Sequence, residues 1–224
     1  MSPDAEDLTP PLPPPLVQHV GRSAMRFLAQ NYFRIEGVGQ HHIPGSGPAI
    51  VLGNHPTYLD PYLVGWNTPR WITWLAWDEA FDWPVIGPLI TAFGAVPLSL
   101  ERASSASLRK AYKVLEDERL LGIFFEGERT ASGNFQINPP LAGAARIALR
   151  TRAPIVPFSL QNARRLWPRE ALVPARGKVR VHFHPPVDPE RAGGGGAMRK
   201  RAARLTDHLA EVVSSRLPED GGFA

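Results

Sequence analysis

Short apolar runs alternate along this chain with segments whose apolar positions recur three and four residues apart, which predicts strands alternating with helices. Strands are expected around Phe33–Val38, Ala49–Leu52, Trp71–Trp77, 95–100, Leu121–Phe125, Ile155–Leu160 and Val179–Phe183. Helices are expected from Leu16 to about Phe33, from Thr57 through Leu63, over 84–92 and over Ser104–Arg119. Two more run from Pro139-Pro140 to about Arg152 and over 197–216. This order is that of a single α/β domain: a central, mostly parallel or mixed sheet flanked by helices. Residues 34–224 form the domain proper, preceded by an N-terminal amphipathic helix over 16–33. Residues 1–15 hold six of the 24 prolines and three acidic residues, and are expected to be an extended, poorly ordered tail. Gly193–Gly196 reads as a flexible hinge before the last helix.

In the first helix, Leu16, Val20, Phe27 and Leu28 share a stripe flanked by Arg22 and Arg26. The stripe suits either packing on the core or apposition to a membrane surface. Trp83–Leu100 carries no formal charge over 18 residues, but three prolines and two glycines divide it into a short helix and a buried strand. The acidic, proline-rich start of the chain shows no secretory pattern. With 224 residues and 43% hydrophobic content, the chain is long enough to bury a good core. It has no cysteine, which excludes disulfide frameworks, zinc-thiolate sites, iron–sulfur clusters and a cysteine nucleophile. The net charge of +4 is uneven. Residues 1–140 carry ten Lys/Arg against fourteen Asp/Glu, whereas 141–224 carry fifteen against seven. A basic second half suits an anionic partner, although the excess of Arg over Lys is also what base composition alone produces.

Two segments carry chemistry. In Asn54-His55-Pro56-Thr57-Tyr58-Leu59-Asp60, a histidine follows an apolar strand and an aspartate stands five positions on. The carboxyl ends of strands are where α/β proteins bind ligands. With a helix starting near Thr57, Asp60 lies in its first turn and reaches one imidazole nitrogen. The other nitrogen is then free to take a proton from a hydroxyl. Equally, Asp60 could cap the helix while His55 makes a structural hydrogen bond. No Gly-x-Ser-x-Gly is present, so the pair fits direct transfer to an alcohol supplied by the substrate. In the second segment, Phe124-Phe125-Glu126-Gly127-Glu128-Arg129-Thr130, Gly127 permits a tight backbone and Arg129 offers a planar fork for phosphate or carboxylate. A surface turn with a local ion pair has the same composition.

Taken in order, these two blocks, Gly94-Ala95-Val96-Pro97-Leu98 between them and Ala153-Pro154-Ile155-Val156-Pro157 after them resemble the glycerolipid acyltransferase family, over about residues 30–190. The best-known members make phosphatidic acid from 1-acylglycerol-3-phosphate. The resemblance implies a general base at His55 oriented by Asp60, with Asn54 and Thr130 in supporting places. It implies an acceptor pocket lined by Glu126, Gly127, Arg129 and Arg102, with Arg129 on the acceptor's phosphate, and a supporting strand at Ile155-Val156-Pro157. The implied donor is an acyl thioester, acyl-CoA or acyl carrier protein, with no metal and no bound cofactor. The acceptor is a lysophospholipid or other lipid alcohol, glycerol-3-phosphate being an alternative, and the setting is peripheral, on the cytoplasmic side of a membrane.

The chain departs from the family pattern in two places. Phe125 and Glu128 stand where the third block usually has Pro and Thr, and Leu100 stands where the second block is followed by Arg. A carboxylate at 128 repels an anionic acceptor unless it points away or pairs with Arg129. Arg102, two residues past Leu100, keeps strand parity and so the same face. Five of the six tryptophans fall between Trp66 and Trp83, which suits a bilayer interface or a filled core. In the strand Val179–Phe183 the apolar positions alternate with Arg180, His182 and then His184. The two histidines are therefore read as a polar face, not metal ligands. A non-enzymatic lipid- or nucleic-acid-binding module is the rival class. Nucleic acid is not expected, because the aromatics lie outside the basic half and no binding motif is present.

Overall fold

A computed structural model of the chain describes residues 11–99, 105–130, 137–168, 171 and 173–218. Helix α1 (Pro15–Asn31) leads into β1 (Phe33–Val38), followed by β2 (Ala49–Gly53), α2 (Asp60–Trp66), β3 (Ile72–Trp77), α3 (Ile86–Ala92) and β4 (Val96–Leu98). The second half runs α4 (Ser105–Glu116), β5 (Leu120–Phe124), α5 (Gly143–Thr151), β6 (Ile155–Gln161), α6 (Ala163–Leu166), β7 (Gly177–Phe183), α7 (Pro189–Gly193) and α8 (Met198–Ser214).

The seven strands form one sheet in the order β1-β7-β6-β2-β5-β3-β4. Every neighbouring pair is parallel except β6 and β7. The sheet is therefore mixed and mostly parallel, as the alternation of elements requires. β2 lies between β5 and β6, and all five of its residues are buried. Its uninterrupted apolar sequence follows from that position, because a central parallel strand is covered on both faces. Ile50 and Leu52 join Val114, Ile147 and Leu205 on the face under α4, α5 and α8. Ala49 and Val51 join Leu63, Val64 and Phe158 on the face under α2. Among the described residues no helix is long and apolar enough to cross a membrane.

Three boundaries differ from the sequence reading, each for a local reason. Helix α2 starts at Asp60, not Thr57, because the Asp60 carboxylate accepts the Thr57 N–H at 2.7 Å and holds residues 57–59 as a turn. Helix α5 starts at Gly143, well past Pro139-Pro140. The preceding backbone is tied back to the end of β5, with Leu141 N–H donating to the Phe125 carbonyl at 2.7 Å. The glycine run at 193–196 is not a free hinge. Gly193 closes α7, and Arg204 of α8 clamps the run by donating to the carbonyls of Gly193 and Gly195.

Candidate active site

The site begins where β2 ends. Past Gly53, the Asn54 side chain takes over the strand's pairing with β6: its Nδ2 donates to the Leu160 carbonyl at 3.1 Å and its Oδ1 accepts the Leu160 N–H at 2.7 Å. This fixes the backbone immediately before His55. Two further bonds fix His55 itself, its N–H donating to Glu126 Oε1 at 2.9 Å and its carbonyl accepting the Thr130 N–H at 2.9 Å. The imidazole thus sits on a backbone held from three sides, which is the preorganisation a proton-transfer group needs.

The ring is held as firmly. Nδ1 lies 2.8 Å from Asp60 Oδ2. Asp60 is fully buried and also accepts the N–H and the hydroxyl of Thr57, whose oxygen accepts the Leu59 N–H in turn. All these donors converge on one carboxylate, so it is an acceptor throughout and Nδ1 carries the proton. Nε2 is then the nitrogen with the free lone pair. Burial pushes the Asp60 carboxyl up from its ordinary value, and the hydrogen bond from His55 opposes that rise. One imidazole face stacks on Phe124 at 4.0 Å, and Phe124 stacks in turn on Trp74 at 4.7 Å. The His55 side chain remains 19% exposed, and its exposed part faces a cavity of about 770 Å³.

Glu126 is placed differently from the expectation. It was expected to line the acceptor pocket, but it is buried behind His55 and is not part of the cavity wall. Its oxygens accept the His55 N–H, the Thr130 hydroxyl at 3.1 Å and the Asn138 N–H at 2.6 Å. Burial raises its carboxyl, against these donors. Gly127, at φ 76, makes the left-handed turn that swings the next residues outward. Gly127, Glu128 and Arg129 do line the cavity. Arg129 lies with its guanidinium carbon 3.7 Å above the Tyr58 ring. Arg102 lies outside the described residues. Thr130 and Asn54 take supporting places, Thr130 being held in turn by the buried Arg164, which donates to its carbonyl at 2.9 Å.

Sequence reasoning missed the parts played by Thr57, Tyr58, Phe124 and Arg164. The first three stood inside the quoted blocks, but only the fold shows what each touches; nothing in the sequence singled out Arg164. Of the tryptophans, Trp74 packs against the core face under α2. Trp66, Trp71, Trp74, Trp77 and Trp83 are all wall residues of the cavity, and Trp77 is exposed at 40%. His184 leaves the polar face expected for it and is buried against Ser159, with Nε2 2.7 Å from the hydroxyl. No cluster among the described residues has the make-up of a metal site.

A histidine–aspartate pair at the carboxyl end of a central strand, opening on a largely apolar cavity, has the chemistry to accept a proton from a hydroxyl. The chain belongs to the Acyltransferase family, whose model matches residues 34–161, more than half of it. It is 26% identical over 152 residues to a 1-acyl-sn-glycerol-3-phosphate acyltransferase of Borreliella burgdorferi, covering 67% of this chain and 60% of that one. It is also 26% identical over 144 residues to an enzyme of the same name from Limnanthes alba, covering 63% and 51%. The chain thus spans little more than half the length of these curated relatives. Among solved structures, the 1-acyl-sn-glycerophosphate (LPA) acyltransferase PlsC of Thermotoga maritima superposes with a TM-score of 0.70 at 26% identity. That likeness covers 89% of this chain and 76% of that one.

Proposed function

We propose that the protein is an O-acyltransferase that moves a fatty acyl group from an acyl thioester to the hydroxyl of 1-acylglycerol-3-phosphate, giving phosphatidic acid. The observation that carries this is the His55–Asp60 pair at 2.8 Å with its ring on the wall of a largely apolar cavity. His55 Nε2 takes the proton of the acceptor hydroxyl as its oxygen attacks the thioester carbonyl. The tetrahedral adduct then expels the thiolate, which takes the proton back from the imidazolium. Asp60 holds the Nδ1–H tautomer and stabilises the imidazolium while it exists. The chemistry draws its base from the chain itself, with acyl-CoA or acyl carrier protein as co-substrate.

Arg129 suits the acceptor's phosphate, lying on the same turn as the brace behind His55. A second acceptor class is favoured by one observation: Asp78, Glu79 and Glu128 line the same cavity. Carboxylates there suit a lipid alcohol without a terminal phosphate. The setting we propose is the cytoplasmic surface of a membrane. It is supported by α1, which exposes Leu16, Val20 and Phe27 at 72%, 57% and 66%. The test is incubation with labelled acyl-CoA, or the acyl carrier protein thioester, and a panel of acceptors. Labelled phosphatidic acid from 1-acylglycerol-3-phosphate is expected. Product only from acceptors without a terminal phosphate would overturn the choice of acceptor, and no transfer to any acceptor would overturn the reaction.

A further inference from the structure

Two turns far apart in sequence meet on the cavity wall through a stacked pair of side chains. Tyr58 belongs to the turn that Asp60 holds between β2 and α2, and Arg129 to the turn that Gly127 opens after β5. Both turns are pinned close to these side chains. Asp60 accepts the Thr57 N–H at 2.7 Å and the Thr57 oxygen accepts the Leu59 N–H at 3.2 Å, one residue to either side of Tyr58. The Arg129 carbonyl accepts from Asn138 Nδ2 at 3.4 Å, and the next residue, Thr130, donates its N–H to the His55 carbonyl. Ring and guanidinium are therefore carried on the frame that carries His55. The guanidinium carbon lies 3.7 Å from the ring centre, well inside the reach of a cation–π contact.

The ring is itself held. Trp83 meets it edge-on with ring centres 5.9 Å apart, and Trp167 does so at 6.3 Å. Trp77 in turn packs edge-on against Trp83 at 6.1 Å. Tyr58 is nonetheless 41% exposed and lines the cavity together with Arg129. The kind of contact matters here. Asp78, Glu79 and Glu128 line the same cavity, and a carboxylate engages the in-plane N–H donors of a guanidinium, the donors a phosphate uses. A separation of 3.7 Å is that of two flat groups lying face to face. The ring therefore engages the face of the guanidinium and does not use its fork.

Resting on the acyl-transfer reading with Arg129 at the acceptor's phosphate, we propose that Tyr58 is a positioning residue for that arginine. Its ring holds the guanidinium in place against the pull of Asp78, Glu79 and Glu128, and so sets the preference for a phosphate-bearing acceptor. Tyr58 acts through Arg129 and not on the reacting atoms. Losing the ring therefore weakens acceptor binding and leaves the rate at saturation to His55 and Asp60. The face of the ring does this work, and the phenolic hydroxyl has no part in it.

The experiment measures transfer to 1-acylglycerol-3-phosphate, from labelled acyl-CoA and from the acyl carrier protein thioester. The full chain is compared with Tyr58→Leu, Tyr58→Phe, Arg129→Ala and the double variant Tyr58→Leu/Arg129→Ala, each checked for folding by thermal melting. Tyr58→Leu is expected to raise the acceptor KM about five- to thirtyfold, the range of a cation–π contact, with kcat within about twofold. Tyr58→Phe keeps the ring face and is expected to restore the KM. The double variant is expected to match Arg129→Ala alone, because the ring works only through the arginine. Should Tyr58→Leu not fold, Tyr58→Met is read in its place with the same expectations. An unchanged KM in Tyr58→Leu, a loss in kcat instead, or a Tyr58→Phe variant as impaired as Tyr58→Leu would each overturn the proposal. So would a double variant in which the two single effects multiply, since the ring would then act without the arginine. A wild type that transfers to no phosphate-bearing acceptor would instead overturn the reading on which the proposal rests.

Discussion

His55 and His184 are both held by a short hydrogen bond to a side chain, yet they do opposite things. His55 donates its Nδ1–H to a carboxylate, which leaves Nε2 unprotonated, and its ring lines the cavity. His184 is 5% exposed, and its Nε2 lies 2.7 Å from Ser159, whose single hydroxyl proton goes to the Val213 carbonyl of α8 at 2.6 Å. His184 must therefore donate from Nε2, the reverse tautomer. Its pair ties α8 to β6 and has no place on the cavity wall. Burial, together with the positive charge of His182, Arg216 and His42, lowers the His184 pKa to about 4. A histidine with a partner is thus no sign of catalysis by itself. A carboxylate partner and a free nitrogen facing open space are what separate the two.

The contrast breaks most visibly in His55→Ala. Acyl transfer is expected to fall by a factor of about a thousand or more, with the melting temperature nearly unchanged. His184→Ala is expected to give the opposite pattern, a lower melting temperature with transfer retained.

Asp60→Asn sharpens the comparison within the site. The amide oxygen can still accept from His55 and the Thr57 N–H, while its NH₂ group donates to the Thr57 hydroxyl, so geometry is kept and only charge is lost. Transfer is expected to fall about a hundredfold, the lower end for a positioned acid–base group. Because burial raises the Asp60 carboxyl, its ionised form weighs against folding, increasingly as pH rises above the ordinary value of 3.8. Removing that charge should therefore leave the melting temperature at neutral pH no lower than wild type.

A pH dependence of stability sharpens the comparison from the side of His184. His184 has a folded value of about 4 against an ordinary 6.5, so the unfolded chain binds the extra proton between them. Stability is accordingly full above pH 6.5 and lost as pH falls toward 4. The loss is of order 3 kcal/mol at most. Denaturant titrations across that window should show this slope, and His184→Gln should flatten it.

Much of this was legible before any coordinates. The all-apolar Ala49–Leu52 run, followed at once by His55 and Asp60 five positions on, located both the central strand and the contact between the two side chains. That succeeded because the relation is local: a strand end and one helical turn fix both groups. Glu126 was misread because its three donors come from residues 55, 130 and 138, and no periodicity reports such distant bonds. The tryptophans stayed undecided between bilayer interface and core for a similar reason, since both ask for the same side chain. His184 was misassigned because strand alternation stops at Phe183, where β7 ends, and the next residue turns inward.

The central claim is that the unprotonated nitrogen of His55 is the one facing the cavity. Nitrogen NMR of the ring-labelled protein, at a pH where His55 is neutral and with His55→Ala as the assignment control, reads this directly. A proton on Nδ1 and none on Nε2 is the predicted result. A proton resident on Nε2 would leave no base toward the substrate and would contradict the account.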